Sequence, residues 1–450
     1  MHRWGEELEE LADAVFAYAR ERLRLDPVPL DGPRPLAELA AAAGQTVTPA
    51  GIGGKAALEL FAEVLAPACI SIDHPRYLAF VPCAPTKAAA LFDLVVGASS
   101  IYAGSWLEGA GAVFAENEAL AWLRDLAGLP PGAGGTFVQG GTLGNLSALV
   151  AARHAYRDAG GSRRARLAFV ASDEAHASVA AAARVMDVEV LEAIPDEHGR
   201  LHGAAVAAAI DGRPRGTEVF AVVASAGATN LGVIDDLGSV ADEASRRGLW
   251  LHVDAAYGGG ALAAPSARAR FAGIERADSV VIDPHKWLFA PFDCAALLYR
   301  RPELARAAHA QRADYLEAVE RTGEWNPSDY AIQLTRRARG LPFWFSLATH
   351  GTDAYVAAIE RTLEVARQAA AAIRERPELE LLDEPELTVL CFRRHAWREA
   401  DYYAWSERLR AAGTAFVTPT SHRGEPLARL VVVNPRTTLE DIELVLDTMR

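Results

Sequence analysis

Apolar positions recur at helical spacing over residues 6–25, where Leu8, Leu11, Val15, Tyr18, Ala19 and Leu23 share one face. Pro27, Pro29, Pro33 and Pro35 then break the pattern, which predicts an opening helix followed by an extended arm. From about residue 86 the texture changes to alanine-rich helical stretches, such as 143–158 and 235–247, alternating with short β-branched runs. The predicted strands are Thr136–Gln139, Leu167–Ala171, Val188–Glu192, Val219–Ser225, Trp250–Asp254 and Ser279–Ile282. Such alternation implies βαβ units, hence an α/β fold with a mainly parallel sheet. Past Pro342 a long helical pattern over 343–376 leads into strands near Leu387–Phe392 and Ala428–Val433, a smaller α+β unit. The expected division is an N-terminal helical arm over 1–85, a large domain over 86–342 and a small C-terminal domain over 343–450.

Composition narrows the class. With 450 residues and 51% hydrophobic content the chain can bury a large core. Its 59 acidic residues against 45 basic ones give a formal charge of −14, which disfavours a nucleic-acid or anionic-membrane surface. Cys69, Cys83, Cys294 and Cys391 are far apart and form no CxxC pair, so neither a disulfide framework nor a metal knuckle is expected. A reducing cytoplasm is the expected location. The acidic opening residues do not read as a signal peptide, and no stretch is apolar enough to span a bilayer. Lys55, Lys87 and Lys286 are the only lysines, so solvated lysines are dispensable here and one set in an apolar run invites a chemical explanation.

Four segments carry candidate chemistry, each after a predicted strand, at the sheet edge where α/β proteins place ligands. Gln139-Gly140-Gly141-Thr142-Leu143-Gly144-Asn145 opens an apolar helix, and its backbone amides can meet a phosphate, although such turns are as often structural. It fits neither the dinucleotide fingerprint nor the P-loop pattern. The strand Trp250-Leu251-His252-Val253-Asp254 ends in a carboxylate followed by Ala255, Ala256 and Tyr257. Buried, Asp254 needs a cationic partner such as a protonated pyridine; alternatively it caps the following turn. Asp283-Pro284-His285-Lys286-Trp287 sets a lysine beside apolar and aromatic neighbours, and only a neutral amine attacks an aldehyde. Ser172-Asp173-Glu174-Ala175-His176 offers an imidazole that can stack on a ring or donate a proton. Asp-Glu-Ala-His also spells a helicase signature, but neither the nucleotide loop nor a basic nucleic-acid path accompanies it.

Together the glycine-rich loop, His176, His252-Val253-Asp254-Ala255-Ala256-Tyr257 and Pro284-His285-Lys286-Trp287 resemble the group II pyridoxal-phosphate-dependent amino-acid decarboxylases, which include aromatic-amino-acid, histidine and glutamate decarboxylases. The resemblance runs from His74-Pro75-Arg76-Tyr77 to Asn434-Pro435-Arg436-Thr437-Thr438. It implies fold type I, with a mainly parallel seven-stranded sheet, and a homodimer with active sites at the interface. By the same resemblance Lys286 holds pyridoxal 5'-phosphate as a Schiff base, Asp254 pairs with the ring nitrogen, His176 stacks on the ring and Ala256 packs against it. Thr142, Leu143 and Gly144 would meet the phosphate, with His285 beside it and Thr229 nearby. Asp283 stands where many relatives carry asparagine. Tyr330 resembles a loop tyrosine that protonates the substrate carbon, although an ungapped register through Arg336-Arg337 sets it on another family position; His176 or water are the other candidates.

The implied substrate pocket takes Phe80, Val81 and Pro82 from one subunit and the loop of Tyr102, Ala103, Gly104, Ser105 and Trp106 from the other. Its apolar character favours an aromatic L-amino acid. Gly104 replaces a bulky aromatic, which predicts a wider cavity, equally open to a long aliphatic or diamino acid. No arginine lies in these pocket segments except Arg76, which argues against an acidic substrate. The expected reaction is decarboxylation to an amine and carbon dioxide. The alternatives are an aldehyde synthase on the same scaffold or a non-catalytic protein that keeps the fold; the intact lysine, aspartate and histidine argue against the last.

Overall fold

The computed structural model describes residues 2–82, 84–311, 313–314 and 323–450. Its larger sheet comprises β1 (Gly134–Val138), β2 (Arg166–Ser172), β3 (Glu189–Ala193), β4 (Thr217–Ser225), β5 (Trp250–Asp254), β6 (Ser279–Ile282) and β7 (Ala295–Tyr299). They lie in the order β1-β7-β6-β5-β4-β2-β3, with β7 antiparallel to both neighbours and the pairs from β6 across to β3 all parallel. Every residue of β5 and β6 is buried, so these strands read as apolar runs without alternation. The six strands expected from sequence are present, two with unchanged ends. The seventh, Ala-Ala-Leu-Leu-Tyr, resembles the helical texture around it, and only pairing with β1 and β6 makes it extended.

The pattern over 343–376 resolves into two helices, Leu341–His350 and Thr352–Arg374. Gly351 between them has φ +75°, a left-handed conformation that ends the first helix. A second, antiparallel sheet follows, with β8 (Leu379–Leu381), β9 (Val389–Arg394), β10 (Thr420–His422) and β11 (Glu425–Val431) in the order β10-β11-β9-β8. Tyr77 and Leu78, early in the chain, join this layer: Leu78 donates to the Phe416 carbonyl at 2.8 Å and accepts from Val431 at 2.9 Å.

The two layers meet behind β5 and β6. Tyr257 stacks on Trp287 with centroids 5.5 Å apart, and its hydroxyl lies 2.7 Å from Thr388 Oγ1. Trp287 Nε1 donates to Thr362 Oγ1 at 2.9 Å. The residues flanking Asp254 and Lys286 are thus clamped into both layers. By contrast the 19-residue helix Glu6–Arg24 contains no buried residue. Its Phe16 and Leu23 face Leu91 and Leu94 of the helix Lys87–Ser99 across a groove of about 690 Å³. Among the described residues no helix is long and apolar enough to cross a membrane.

Candidate active site

Five parallel strands end at one cavity of about 980 Å³. β1 delivers Gly140, Gly141 and Thr142, β2 His176, β4 Thr229, β5 Asp254 and Ala256, and β6 Asp283, His285 and Lys286. Five separate segments of the sequence are therefore brought together because a parallel sheet turns every strand's carboxyl end to the same edge.

Lys286 Nζ lies 3.1 Å from Asp283 Oδ2, which also accepts the Gly141 amide at 3.2 Å. Asp283 is buried, and its Oδ1 has no hydrogen-bond partner among the described residues. Asp254 is buried too, yet fully engaged: Oδ2 accepts from Asn145 Nδ2 at 2.7 Å and Oδ1 from the Ala256 amide at 3.0 Å. His285 Nδ1 lies 2.7 Å from the Cys294 carbonyl and 3.2 Å from the Cys294 amide, and burial lowers its pKa against the opposing pull of Asp283. His176 Nδ1 lies 2.8 Å from Ser178 Oγ. Behind Asp254, His252 is enclosed between Ser279 and Asn145, and burial holds its pKa well below the ordinary value.

Pyridoxal phosphate needs an amine for its aldehyde, a carboxylate for its ring nitrogen, a small-residue slot for its ring and amides for its phosphate. Lys286, Asp254, Ala256 and the Gly140–Thr142 turn present these groups on one cavity wall, so the residues fit the cofactor.

Several expected site residues lie elsewhere. Leu143 turns into the core, and its amide and that of Gly144 are already bonded to the Gly140 carbonyl at 3.0 and 3.1 Å. Gly144 serves packing instead: a Cβ there would sit 2.6 Å from Val281 Cγ2. Pro82 is buried and does not line the cavity, although Phe80 and Val81 do. Tyr330 is 6% exposed, stacked on Trp325 at 4.0 Å, and burial pushes its phenol up to about 12; it belongs to a core cluster and not to the cavity wall. Tyr102 and Gly104, expected to serve the other subunit's pocket, do not line this chain's own cavity. The Tyr102 ring covers Gly104, where an added Cβ would meet the phenol oxygen at 2.2 Å. The space that the glycine was expected to free is therefore taken by its own neighbour.

Other lining residues were not singled out from sequence. Arg429 of β11 is 5% exposed, and burial lowers its pKa. It donates to the carbonyls of Thr229 at 2.7 Å, Asn230 at 2.9 Å and Phe80 at 3.1 Å. An arginine inside the apolar run Leu427–Val433 was the available signal. It removes the argument that the pocket lacks an arginine. Phe292, Thr418 and Thr420 complete that side.

A lysine, a carboxylate and a glycine-rich helix start around one cavity of such a sheet define the fold type I class of pyridoxal-phosphate enzymes. Within it, residues 55–395 match the model described as the pyridoxal-dependent decarboxylase conserved domain, and the chain belongs to that family. It is similar to the aromatic-L-amino-acid decarboxylase of Bacillus atrophaeus, 32% identical over 384 residues, covering 82% of this chain and 79% of the relative. It is also similar to the L-2,4-diaminobutyrate decarboxylase of Rhizobium meliloti (strain 1021), 34% identical over 414 residues, covering 89% and 82%. A crystal structure of Oryza sativa TDC with PLP and tryptamine superposes with a TM-score of 0.88 at 25% identity, over 98% of this chain and 96% of that one. The protein is a pyridoxal-phosphate-dependent amino-acid decarboxylase, a carboxy-lyase.

Proposed function

We propose that the chain decarboxylates an aromatic L-amino acid to its amine, as a cytoplasmic homodimer with Lys286 as the cofactor lysine. The observation that carries the substrate class is the pair of exposed rings on the cavity wall, Phe80 at 58% and Phe292 at 53% exposure. Apolar rings this exposed beside a cavity favour a planar apolar side chain, each aromatic pair adding about 0.5–1.5 kcal/mol beyond area burial. The dimer reading is supported by the unburied helix Glu6–Arg24 and by the Tyr102–Trp106 loop, which does not line this chain's own cavity.

When bound, the cofactor supplies an electron sink for the bond that breaks. Asp254 would hold the ring nitrogen's proton, which its two fixed hydrogen bonds prepare it to do. Gly141, Thr142 and His285 would meet the phosphate, and Thr229 and Ala256 would bound the ring. His176 would hold or deliver a proton over the reacting carbon.

A second reading has its own support. Arg429 is a buried cation in the cavity wall whose hydrogen bonds among the described residues go to carbonyls, which favours a substrate carrying a second carboxylate. The similarity to a diaminobutyrate decarboxylase widens the choice further. Incubation with tryptophan, tyrosine, phenylalanine, glutamate and diaminobutyrate, following carbon dioxide, ammonia and peroxide, separates these readings. Carbon dioxide and amine from aromatic acids are expected; release from glutamate or diaminobutyrate alone would overturn the substrate class, and peroxide with ammonia would indicate an aldehyde synthase. Borohydride is expected to fix the cofactor on Lys286 and not in Lys286→Ala. Labelling of Lys55 or Lys87 would overturn the lysine assignment.

A further inference from the structure

Trp250, Ser279, His252, Asn145, Ser178 and Asp254 form one hydrogen-bonded chain beneath the cavity, each 8% exposed or less. Trp250 Nε1 to Ser279 Oγ is 2.8 Å, Ser279 Oγ to His252 Nδ1 2.8 Å, and His252 Nε2 to Asn145 Oδ1 2.9 Å. Asn145 Nδ2 then reaches Asp254 Oδ2 at 2.7 Å and Ser178 Oγ at 2.9 Å, and Ser178 Oγ reaches His176 Nδ1 at 2.8 Å. The helix Gly141–Asp158 supplies Asn145, so a single side chain joins the end of β5 to the first turn of the helix Ala177–Met186 that follows β2.

The chain has one consistent assignment of protons. A carboxylate oxygen only accepts, so the Asn145 atom facing Asp254 is the amide nitrogen. Its other N–H goes to Ser178, which leaves Asn145 Oδ1 as an acceptor and puts the His252 proton on Nε2. His252 Nδ1 then accepts the Ser279 hydroxyl, whose oxygen accepts the indole N–H, a group that can only donate. In the other direction, Ser178 Oγ accepts from Asn145 and gives its proton to His176 Nδ1. That nitrogen also accepts the Ser178 amide at 3.2 Å, so the ring proton of His176 belongs on Nε2.

We propose that Asn145 is a positioning residue which orients Asp254 for the cofactor and fixes the Nε2–H tautomer of His176, and that Trp250, Ser279 and His252 hold Asn145 in that orientation. The proposal rests on the cofactor roles given to Asp254 and His176 above. It has the consequence that the His176 nitrogen left to serve the cavity carries a proton and is a donor.

The tautomers are read by nitrogen NMR of cofactor-free protein labelled with ¹⁵N-histidine, with resonances assigned through His176→Gln and His252→Gln. Both rings are expected as Nε2–H, with unprotonated Nδ1. A protonated Nδ1 on neutral His176 would overturn the proposal, whatever the variants do. In Asn145→Leu, His176 is expected to lose its single tautomer, and the dissociation constant of pyridoxal phosphate to rise roughly ten- to a hundredfold. Ser279→Ala touches neither Asp254 nor His176 and is expected to shift the His252 tautomer, with a smaller loss of affinity. A folded Asn145→Leu with an unchanged His176 spectrum and cofactor affinity within about twofold would also overturn it. Failure of the parent chain to fix cofactor on Lys286 would instead sink the functional reading, while the parent spectrum still decides the network.

Discussion

The floor of the cavity and its rim are built on opposite terms. On the floor, Asp254 has partners for both oxygens, His252 for both nitrogens and Asn145 for its oxygen and nitrogen, all from one chain. On the rim, Phe80 and Phe292 stand exposed. A buried polar group left unpaired costs free energy at once, and Asp254, His252 and Asn145 are satisfied within the fold that buries them, whereas Asp283 Oδ1 is the exception on this floor among the described residues. Apolar surface can wait for a substrate or a second subunit.

The comparison is broken most severely on the floor. Asp254→Ala is expected to lower kcat by at least about a hundredfold with cofactor still bound, because a preorganised charge opposite the reacting system is lost. Steady-state decarboxylation at saturating cofactor measures this, and near-normal turnover would refute the pairing. At the groove beside the N-terminal helix, away from the cavity, Phe16→Asp with Leu91→Asp is expected to shift the protein toward monomer in sedimentation velocity, with activity falling in step. An active monomer would remove the dimer reading.

Arg429 joins floor to rim and sharpens the contrast. With a second substrate carboxylate bound there, Arg429→Met is expected to cost at least about thirtyfold in kcat/KM for that substrate. With an aromatic substrate the loss is expected below about tenfold, reflecting only the freed carbonyls of Phe80, Thr229 and Asn230. The ratio of the two losses decides between the readings.

Stability should report the buried floor as well. His309 donates to the Ser147 carbonyl at 3.0 Å, on the helix that carries Asn145, and burial lowers its pKa to about 4. The unfolded imidazole takes up a proton below about pH 6.5 while the folded one stays neutral until about pH 4. Its contribution is therefore complete above pH 6.5 and is lost as pH falls toward 4, on the order of 3 kcal/mol. Urea unfolding of parent and His309→Gln at pH 7 and pH 4.5 checks this; the parent is expected to lose more on acidification. The smallest effect is expected for Tyr330→Phe, about 1 kcal/mol in stability or less and no change in turnover, since the phenol lies in the core beside Trp325. A large fall in kcat there would restore a role in protonation.

By itself the sequence determined the alternating layers, two central strands to the residue, and the segments that end at Asp254, Lys286 and His176, because buried parallel strands must be apolar and their polar ends abrupt. Local signals could not reveal β7, whose alanines suit a helix until neighbouring strands pair with it. Nor could they show that Leu143 and Gly144 face the core, since one helical turn decides which of three adjacent residues meets the cavity. Tertiary structure alone brought Arg429 across from the second sheet, laid Tyr102 over Gly104, and joined Asn145 to Asp254 over 109 positions of sequence. Contacts of that span leave no periodicity to read; they exist only once the sheet has aligned its strand ends and burial requires each polar atom there to find a partner.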